Sequence, residues 1–303
     1  MLIAIDHGNY AVKSPHTEFV SGISEHKVRP PLGDEVLEYV GSFWTLSGKR
    51  LPYMRDKTRD ERWFVLTLFA IARELDKSGQ LGTREPIDLA VGLPPEHYGL
   101  LRERFAKYFK RGMVSFVYKD KPVSLTIRHV IVYPQAYAAV IPQSGELLKT
   151  LRVFIIDIGG ITTDVLLLRN GKPDLQFCRS LEAGVITMNN EIIGKVSAEH
   201  DMRIEDEHIS AVLIGRETIL TEDVKRSIFT AAEAHAHSIL DRLRELQVDL
   251  RTNPAIFIGG GSILFRSLLE HSPMIAHADF ITDTRANAIG YELLGSRQLR
   301  DMP

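Results

Sequence analysis

Val153-Phe154-Ile155-Ile156-Asp157-Ile158-Gly159-Gly160-Ile161-Thr162-Thr163-Asp164 reads as a strand running into an anion-accepting turn. Four consecutive apolar residues, mostly β-branched, predict a strand buried on both faces. The run stops at Asp157, and a Gly-Gly pair follows. An aspartate there places a carboxylate at the sheet edge. The glycines leave the backbone beside it open, so that a phosphate can reach main-chain N–H groups. A carboxylate does not favourably touch that phosphate, so its natural neighbour is a divalent cation or water. Thr162-Thr163 and Val165-Leu166-Leu167-Leu168 predict a return strand. P-loop and dinucleotide folds place a helix after their glycines, so this turn is of a different kind.

The opening of the chain repeats the plan. Leu2-Ile3-Ala4-Ile5 ends at Asp6, His7 and Gly8 follow, and Tyr10-Ala11-Val12-Lys13 resumes a strand. Asp6 and Asp157 lie 157 − 6 = 151 positions apart in a chain of 303 residues. That spacing suggests two related halves facing each other across a cleft, and the length alone favours two domains. Hydrophobic residues make up 44% and charged residues 25%, as in an ordinary globular protein with a core large enough to need no staple. A net charge of −2 and a pI of about 6.6 leave no electrostatic footprint for nucleic acid or lipid. Cys178 is the sole cysteine, which excludes an intramolecular disulfide and suits a reducing compartment. Its setting, Gln176-Phe177-Cys178-Arg179, reads as strand. No apolar run approaches ~20 residues and no basic leader opens the chain, so the expected location is cytoplasmic, with no membrane contact.

The remaining chain alternates strands and helices, an α/β pattern. Glu18–Ile23 reads as a third strand. Residues 25–57 carry Pro30-Pro31 and a hairpin pattern, Val36–Val40 with Phe43–Leu46, and read as a small insertion standing off the main sheet. Helices are expected over 58–77 and 96–110, with strands at 87–93, 113–118 and 124–132. Tyr133-Pro134-Gln135-Ala136 breaks a strand into an Ala-rich helix. Pro134 suits that helix's first turn, and Gln135 sits at the corner. Further strands are expected at 173–181 and 255–258, and helices at 184–196, 222–246, 263–269 and 285–294. His235 and His237 point to different faces of the long helix and read as boundary or solvent residues, not metal ligands.

Three glycine turns thus follow three strands: Asp6-His7-Gly8, Asp157-Ile158-Gly159-Gly160 and Gly259-Gly260-Gly261-Ser262. Two carry an acidic residue and the third does not. That division suits a nucleotide, with two acidic hairpins round phosphates and metal and a bare turn against the nucleoside. Together with Tyr133-Pro134-Gln135-Ala136 and Ala286-Asn287-Ala288-Ile289-Gly290, these motifs resemble the phosphate 1, connect 1, phosphate 2, adenosine and connect 2 motifs of the actin/Hsp70/sugar-kinase superfamily, in its order. Within it, the start Met1-Leu2-Ile3-Ala4-Ile5-Asp6 and Asp157-Ile158-Gly159-Gly160 look most like the ParM/StbA plasmid-segregation actins.

The resemblance implies an actin-like fold of two ribonuclease-H-like domains: 1–150 with 285–303, carrying the insertion at 25–57, and 151–284, carrying a smaller one at 197–255. It implies ATP, or GTP in its place, hydrolysed with Mg²⁺. It also implies self-assembly into filaments for plasmid DNA segregation through a centromere-binding adaptor. Direct nucleic-acid binding is not expected. Asp6 and Asp157 would hold Mg²⁺, largely through its waters. Gly8, Asn9, Gly159, Gly160 and Ile161 would offer backbone N–H groups, Lys13 its ammonium and Thr162 a hydroxyl to the phosphates. Gly184, Gly259, Gly260, Gly261 and Ser262 would line the nucleotide. Gln135 would orient the attacking water but cannot take its proton; plasmid-segregation relatives often have Glu there, and this chain has the actin-like amide. Asp157 would act with Gln135 in the chemistry.

Each residue has a plainer reading. Asp6 or Asp157 alone could cap a turn, Lys13 could be an exposed strand lysine, and Thr163 and Asp164 could pair within their hairpin. Gly184 could simply start a helix, and Glu222 and Lys225 fit a solvated helix face as well as a ribose contact. Two other functions stay open: a sugar-type kinase of the same superfamily, which would need a carboxylate where Gln135 stands, and a non-polymerising actin-like adaptor.

Overall fold

The structure, a computed structural model, describes residues 1–31, 35–82, 84, 86–142 and 150–301. The chain divides into two compact units, Met1–Gln143 with Arg285–Pro303, and Ser144–Thr284. The sequence reading set the join near residue 150; residues 143–149 lie outside the described ones.

In the first unit, β1 (Leu2–His7), β2 (Ala11–Lys13), β3 (Glu18–Val20), β4 (Ile23–His26), β5 (Val36–Tyr39) and β6 (Ser42–Leu46) precede α1 (Arg62–Lys77). Then follow β7 (Ile87–Leu93), α2 (Pro95–Phe109), β8 (Gly112–Tyr118), β9 (Lys121–Pro134) and the short α3 (Tyr137–Val140). The strands form one sheet in the order β3-β2-β1-β7-β9-β8-β5-β6-β4. β1 runs antiparallel to β2 and parallel to β7, which is in turn parallel to β9. All seven residues of β7 are buried, as a strand flanked on both sides requires, and its one charged residue, Asp88, is paired with Arg128 and His129 from β9. α1 lies deep: Trp63 through Ala72 are all buried, well beyond the single stripe that its periodicity suggests.

Several expectations are corrected in this unit. The hairpin β5–β6 does not stand off the main sheet. β5 pairs with β8 through Leu37↔Tyr118, so the strands of the 25–57 stretch extend the same sheet. The expected third strand is two, broken at Ser21-Gly22, where a Cβ on Gly22 would lie 2.3 Å from the carbonyl oxygens of Ser47 and Lys49. α1 begins at Arg62, because Asp56 caps a separate 3₁₀ turn, Lys57–Arg59, just before it. Pro134 does not open a helix. It is the last residue of β9, paired with Leu93, and an edge-of-ladder position tolerates a residue with no N–H.

The second unit holds β10 (Arg152–Ile158), β11 (Thr163–Arg169), β12 (Lys172–Leu181), α4 (Val185–His200), α5 (Asp206–Leu213) and α6 (Glu222–Glu245). β13 (Ala255–Ile258), α7 (Gly260–Leu264), α8 (Arg266–Glu270) and β14 (Ala278–Phe280) complete it. The sheet order is β12-β11-β10-β13-β14. β10 is antiparallel to β11, which is antiparallel to β12, while β13 is parallel to both β10 and β14. This is the β3-β2-β1-β7-β9 arrangement over again, strand for strand and direction for direction. The last helix, α9 (Ala286–Arg300), returns to the first unit and packs on α3 and β1, running past the expected Leu294.

His235 differs from its boundary reading. It lies on the buried stripe of α6 with Val224, Ile228, Ala232 and Ile239, its ring stacked on Phe265 at 6.0 Å. Burial lowers its pKa below the usual histidine value. The helix after Gly259-Gly260-Gly261 starts at Gly260 rather than Ile263 and is interrupted at Phe265. Cys178 lies within β12 and is buried.

Candidate functional site

In the first unit the aspartate turn is built from three layers of contact. β1 carries Asp6 to the end of the sheet, where it is 4% exposed and in register with Lys13 on β2. Gly8, Asn9 and Tyr10 make the turn. A Cβ on Gly8 would lie 2.6 Å from the carbonyl oxygen of Ala11, so only glycine lets the hairpin close this tightly. The Ser21 hydroxyl donates to the carbonyl of Gly8 at 2.6 Å, and the Lys57 ammonium donates to the carbonyl of His7 while lying 4.4 Å from the Trp63 ring centre. Neither Ser21 nor Lys57 carried a sequence signal, because both reach the turn from elsewhere in the fold.

Beneath the turn, His7 is wholly buried against Phe105 and Phe109, its ring stacked on Phe109 at 4.8 Å. The Thr67 hydroxyl donates its hydrogen to the carbonyl of Trp63 at 2.7 Å, so toward His7 Nε2, 2.8 Å away, it is an acceptor. Nε2 therefore carries the proton. Desolvation first, then the Lys57 charge, push the His7 pKa down to about 3.

Gln135 enters this cluster from the end of β9. Its side-chain Nε2 donates to Asp6 Oδ1 at 2.6 Å. The contact bridges β1 and β9 across the end of β7, and it fixes one oxygen of the carboxylate.

In the second unit the turn between β10 and β11 is closed from behind by α4. The N–H groups of Val185 and Ile186 donate to the carbonyls of Gly159 and Gly160 at 3.0 and 2.7 Å. Gly184 stands where a Cβ would lie 2.5 Å from the Gly160 oxygen, so it is a close-approach glycine. The N–H of Gly159, expected to face a phosphate, instead donates to the carbonyl of Thr162 at 2.8 Å, because that bond closes the hairpin. Thr162 donates to Asp164 Oδ2 at 3.0 Å, and the buried Thr163 donates to the carbonyl of Ala183 at 2.6 Å.

The third turn lies beside this one, since Asp157 pairs with Ile258 in the parallel ladder. Gly259 has φ +85° and ψ 167°, a conformation almost confined to glycine, and a Cβ there would lie 2.4 Å from Asp157 Oδ1. A Cβ on Gly261 would lie 2.3 Å from Ile158 Cγ2. Gly260 opens α7, and Ser262 is buried, donating to the carbonyl of Gly259 at 2.8 Å. The structure thus brings Asp157, Gly159, Gly160, Gly184, Gly259 and Gly261 into one neighbourhood. Glu222 and Lys225 pair with each other at 2.8 Å on the first turn of α6, on its exposed side.

Mg²⁺ keeps most of its waters and uses one or two carboxylates together with substrate phosphates. Asp6 and Asp157 fit that demand: each is a strand-end carboxylate beside a glycine turn. Among the described residues no helix is long and apolar enough to cross a membrane.

Two family models match the chain. Actin like proteins N terminal domain matches residues 4–137, and Archaeal actin homologue MreB-like, C-terminal, matches residues 155–271. No curated protein sequence matches. Among solved structures, the archaeal actin homolog Ta0583 superposes with a TM-score of 0.78 at 20% identity, over 98% of this chain and 99% of that one. The same homolog in complex with ADP gives 0.77 at 18% identity, over 98% and 99%. The 15-stranded ParM filament from Clostridium botulinum gives 0.74 at 19% identity, again over 98% and 99%. The fold is the actin-like fold with two domains.

Proposed function

We propose that this chain, which belongs to the actin-like proteins, binds ATP with Mg²⁺, hydrolyses it and assembles with copies of itself into filaments. The observation that carries this reading is the repeated five-strand plan, in which each unit ends its first strand in an aspartate beside a glycine turn. The Ta0583 complex with ADP and the ParM filament support the nucleotide and the assembly. Plasmid DNA segregation, through an adaptor that binds a centromere, is the role that fits such a filament, and the cytoplasm its place.

In this reading Gly8, Asn9, Gly160 and Ile161 present N–H groups to the phosphates, and Lys13 adds its ammonium. Gly259 and Gly260 give the nucleoside a surface without side-chain obstruction, and the buried Gly184, Gly261 and Ser262 shape the turns behind it. Asp6 and Asp157 would hold Mg²⁺ through its waters, and the ion would supply positive charge for the phosphate oxygens. The Gln135 amide orients the water whose oxygen attacks the γ-phosphorus as the bond to the β-phosphate oxygen breaks, giving ADP and phosphate. An amide cannot remove the proton, so Gln135 positions rather than deprotonates. A carboxylate poised to activate a sugar hydroxyl is what the kinase reading would require at that corner.

Binding of fluorescent ATP and phosphate release with and without Mg²⁺, run with and without candidate sugar acceptors, test the proposal. Mg²⁺-dependent release that ignores the sugars is expected. Transfer to a sugar with little release in its absence would replace this reading with the kinase.

A further inference from the structure

Gln135 is aimed by an unusual piece of backbone. Ala136, fully buried, has φ 62° and ψ −54°. The N–H of Tyr137 donates to the carbonyl of Gln135 at 2.6 Å. These dihedrals and this bond define a γ-turn of the positive-φ kind, the rare and strained one. A non-glycine residue does not hold such a conformation unless its surroundings over-determine it.

They do so here through two bonds. The N–H of Gln135 donates to the carbonyl of Leu93 at 2.8 Å, continuing the β7–β9 ladder by one residue past Pro134. The N–H of Ala136 donates to Asn287 Oδ1 at 2.9 Å, a buried bond between residues 151 positions apart. Asn287 stands in the first turn of α9, and α9 lies hard against α3: a Cβ on Gly290 would be 1.9 Å from the carbonyl oxygen of Ala138. Without Asn287 the Ala136 N–H would be a buried donor with no acceptor, and the turn would lose the bond that offsets its strain.

We propose that Asn287 is a positioning residue for Gln135: together with the γ-turn at Ala136 it reverses the chain within one residue and holds the Gln135 amide on Asp6. This rests on the reading of Gln135 as the residue that orients the attacking water. Asn287 touches neither nucleotide nor water in this account; it acts only through the corner.

The test is a mutant cycle on the full chain with Mg²⁺ and ATP, reading nucleotide affinity, turnover and the NMR signal of the Gln135 side-chain amide. Asn287→Ala is expected to lower turnover about tenfold, keep nucleotide affinity within about twofold and release the Gln135 amide signal toward the free-amide position. Asn287→Asp, which keeps an acceptor, should restore most of both. In a Gln135→Ala background, Asn287→Ala should cost nothing further, because the two residues act as one unit. Ala136→Gly, which accepts positive φ freely, should fold without loss of thermal midpoint, yet also lower turnover by loosening the corner.

Additive losses in the cycle, or equal losses of affinity and turnover, would overturn the proposal and make Asn287 merely structural. If Asn287→Ala does not fold, Ala136→Gly decides: unchanged turnover and an unchanged Gln135 signal would count against positioning. Absence of hydrolysis in the wild-type chain would sink the functional reading instead. The Gln135 amide signal would still report whether Asn287 holds the corner.

Discussion

The side-chain amide of Gln135 donates to Oδ1 of Asp6 across 2.6 Å, joining residues 129 positions apart. A glutamine and a strand-end aspartate so paired have one geometry available for whatever binds at the turn. Gln135→Ala is therefore expected to bind nucleotide about as well as the wild type while hydrolysing it about 100-fold more slowly, the scale of a misplaced reacting group. Single-turnover phosphate release set beside equilibrium nucleotide binding checks this. A parallel loss of both would assign Gln135 to binding.

In the proposed function Asp6 and Asp157 have the same task toward Mg²⁺. Asp6→Asn and Asp157→Asn should each remove the Mg²⁺ dependence of ATP affinity and of hydrolysis. Asp6→Asn keeps an Oδ1 acceptor for the Gln135 amide, so Asp6→Ala is the variant that should in addition release it. Titrating Mg²⁺ against nucleotide affinity for the two Asn variants separates the roles. If either variant keeps the full Mg²⁺ response, its aspartate only caps a turn.

Gly259 is required by both backbone and space, with φ +85° and Asp157 Oδ1 2.4 Å from where a Cβ would be. Gly259→Ala should cost about 1–3 kcal/mol of stability from the backbone conformation alone. It should also weaken nucleotide binding by displacing Asp157. Urea unfolding of the second unit's signal provides the first quantity; Gly260→Ala, which meets nothing within 4 Å, is the control and should be near neutral in stability.

His7 makes the fold acid-sensitive in a definite direction. Its folded pKa is pushed down to about 3 against 6.5 for the free side chain. Between those values the unfolded chain holds a proton that the folded chain does not, so stability rises with pH and is lost as pH falls through that window. The slope well below pH 6.5 is about 1.4 kcal/mol per pH unit from this residue. His7→Gln, which keeps a side-chain donor for Thr67, should flatten the stability curve between pH 6 and pH 4, a range taken from about the midpoint of that window. An unchanged acid limb in urea titrations would place the sensitivity elsewhere.

What could be read ahead of the structure follows from locality. Asp157, Gly159 and Gly160 declare a turn within a few residues, and Asp6 with Gly8 declares its counterpart, because strand, carboxylate and glycine are all adjacent in the chain. The positions of β10, β11 and β13 come from unbroken apolar runs in the same way, and that of β7 from an apolar run interrupted at Asp88. The start of α1 and the use of the Gly159 N–H depend on bonds a few residues away, but the larger misses are long-range. Pro134 looks like a helix opener until β7 is placed beside β9 and extends the strand through it. The hairpin at 36–46 looks like an outlier until Tyr118 is placed opposite Leu37. His235 looks solvated until Phe265, 30 residues later in the chain by number, is stacked on it. The γ-turn at Ala136 has no local signature at all, since the residue that satisfies it, Asn287, comes from the far end of the chain.

The central claim is that nucleotide state controls self-assembly, and a pelleting assay with parallel light scattering tests it most directly. Purified chain is mixed with Mg²⁺ and ATP, GTP or ADP, then sedimented and imaged by electron microscopy. The account predicts sedimentable filaments with a nucleoside triphosphate and Mg²⁺, disappearing as phosphate is released, and persisting longer for Gln135→Ala. A chain that binds and hydrolyses ATP yet stays unassembled with every nucleotide would contradict it and point to a non-polymerising adaptor.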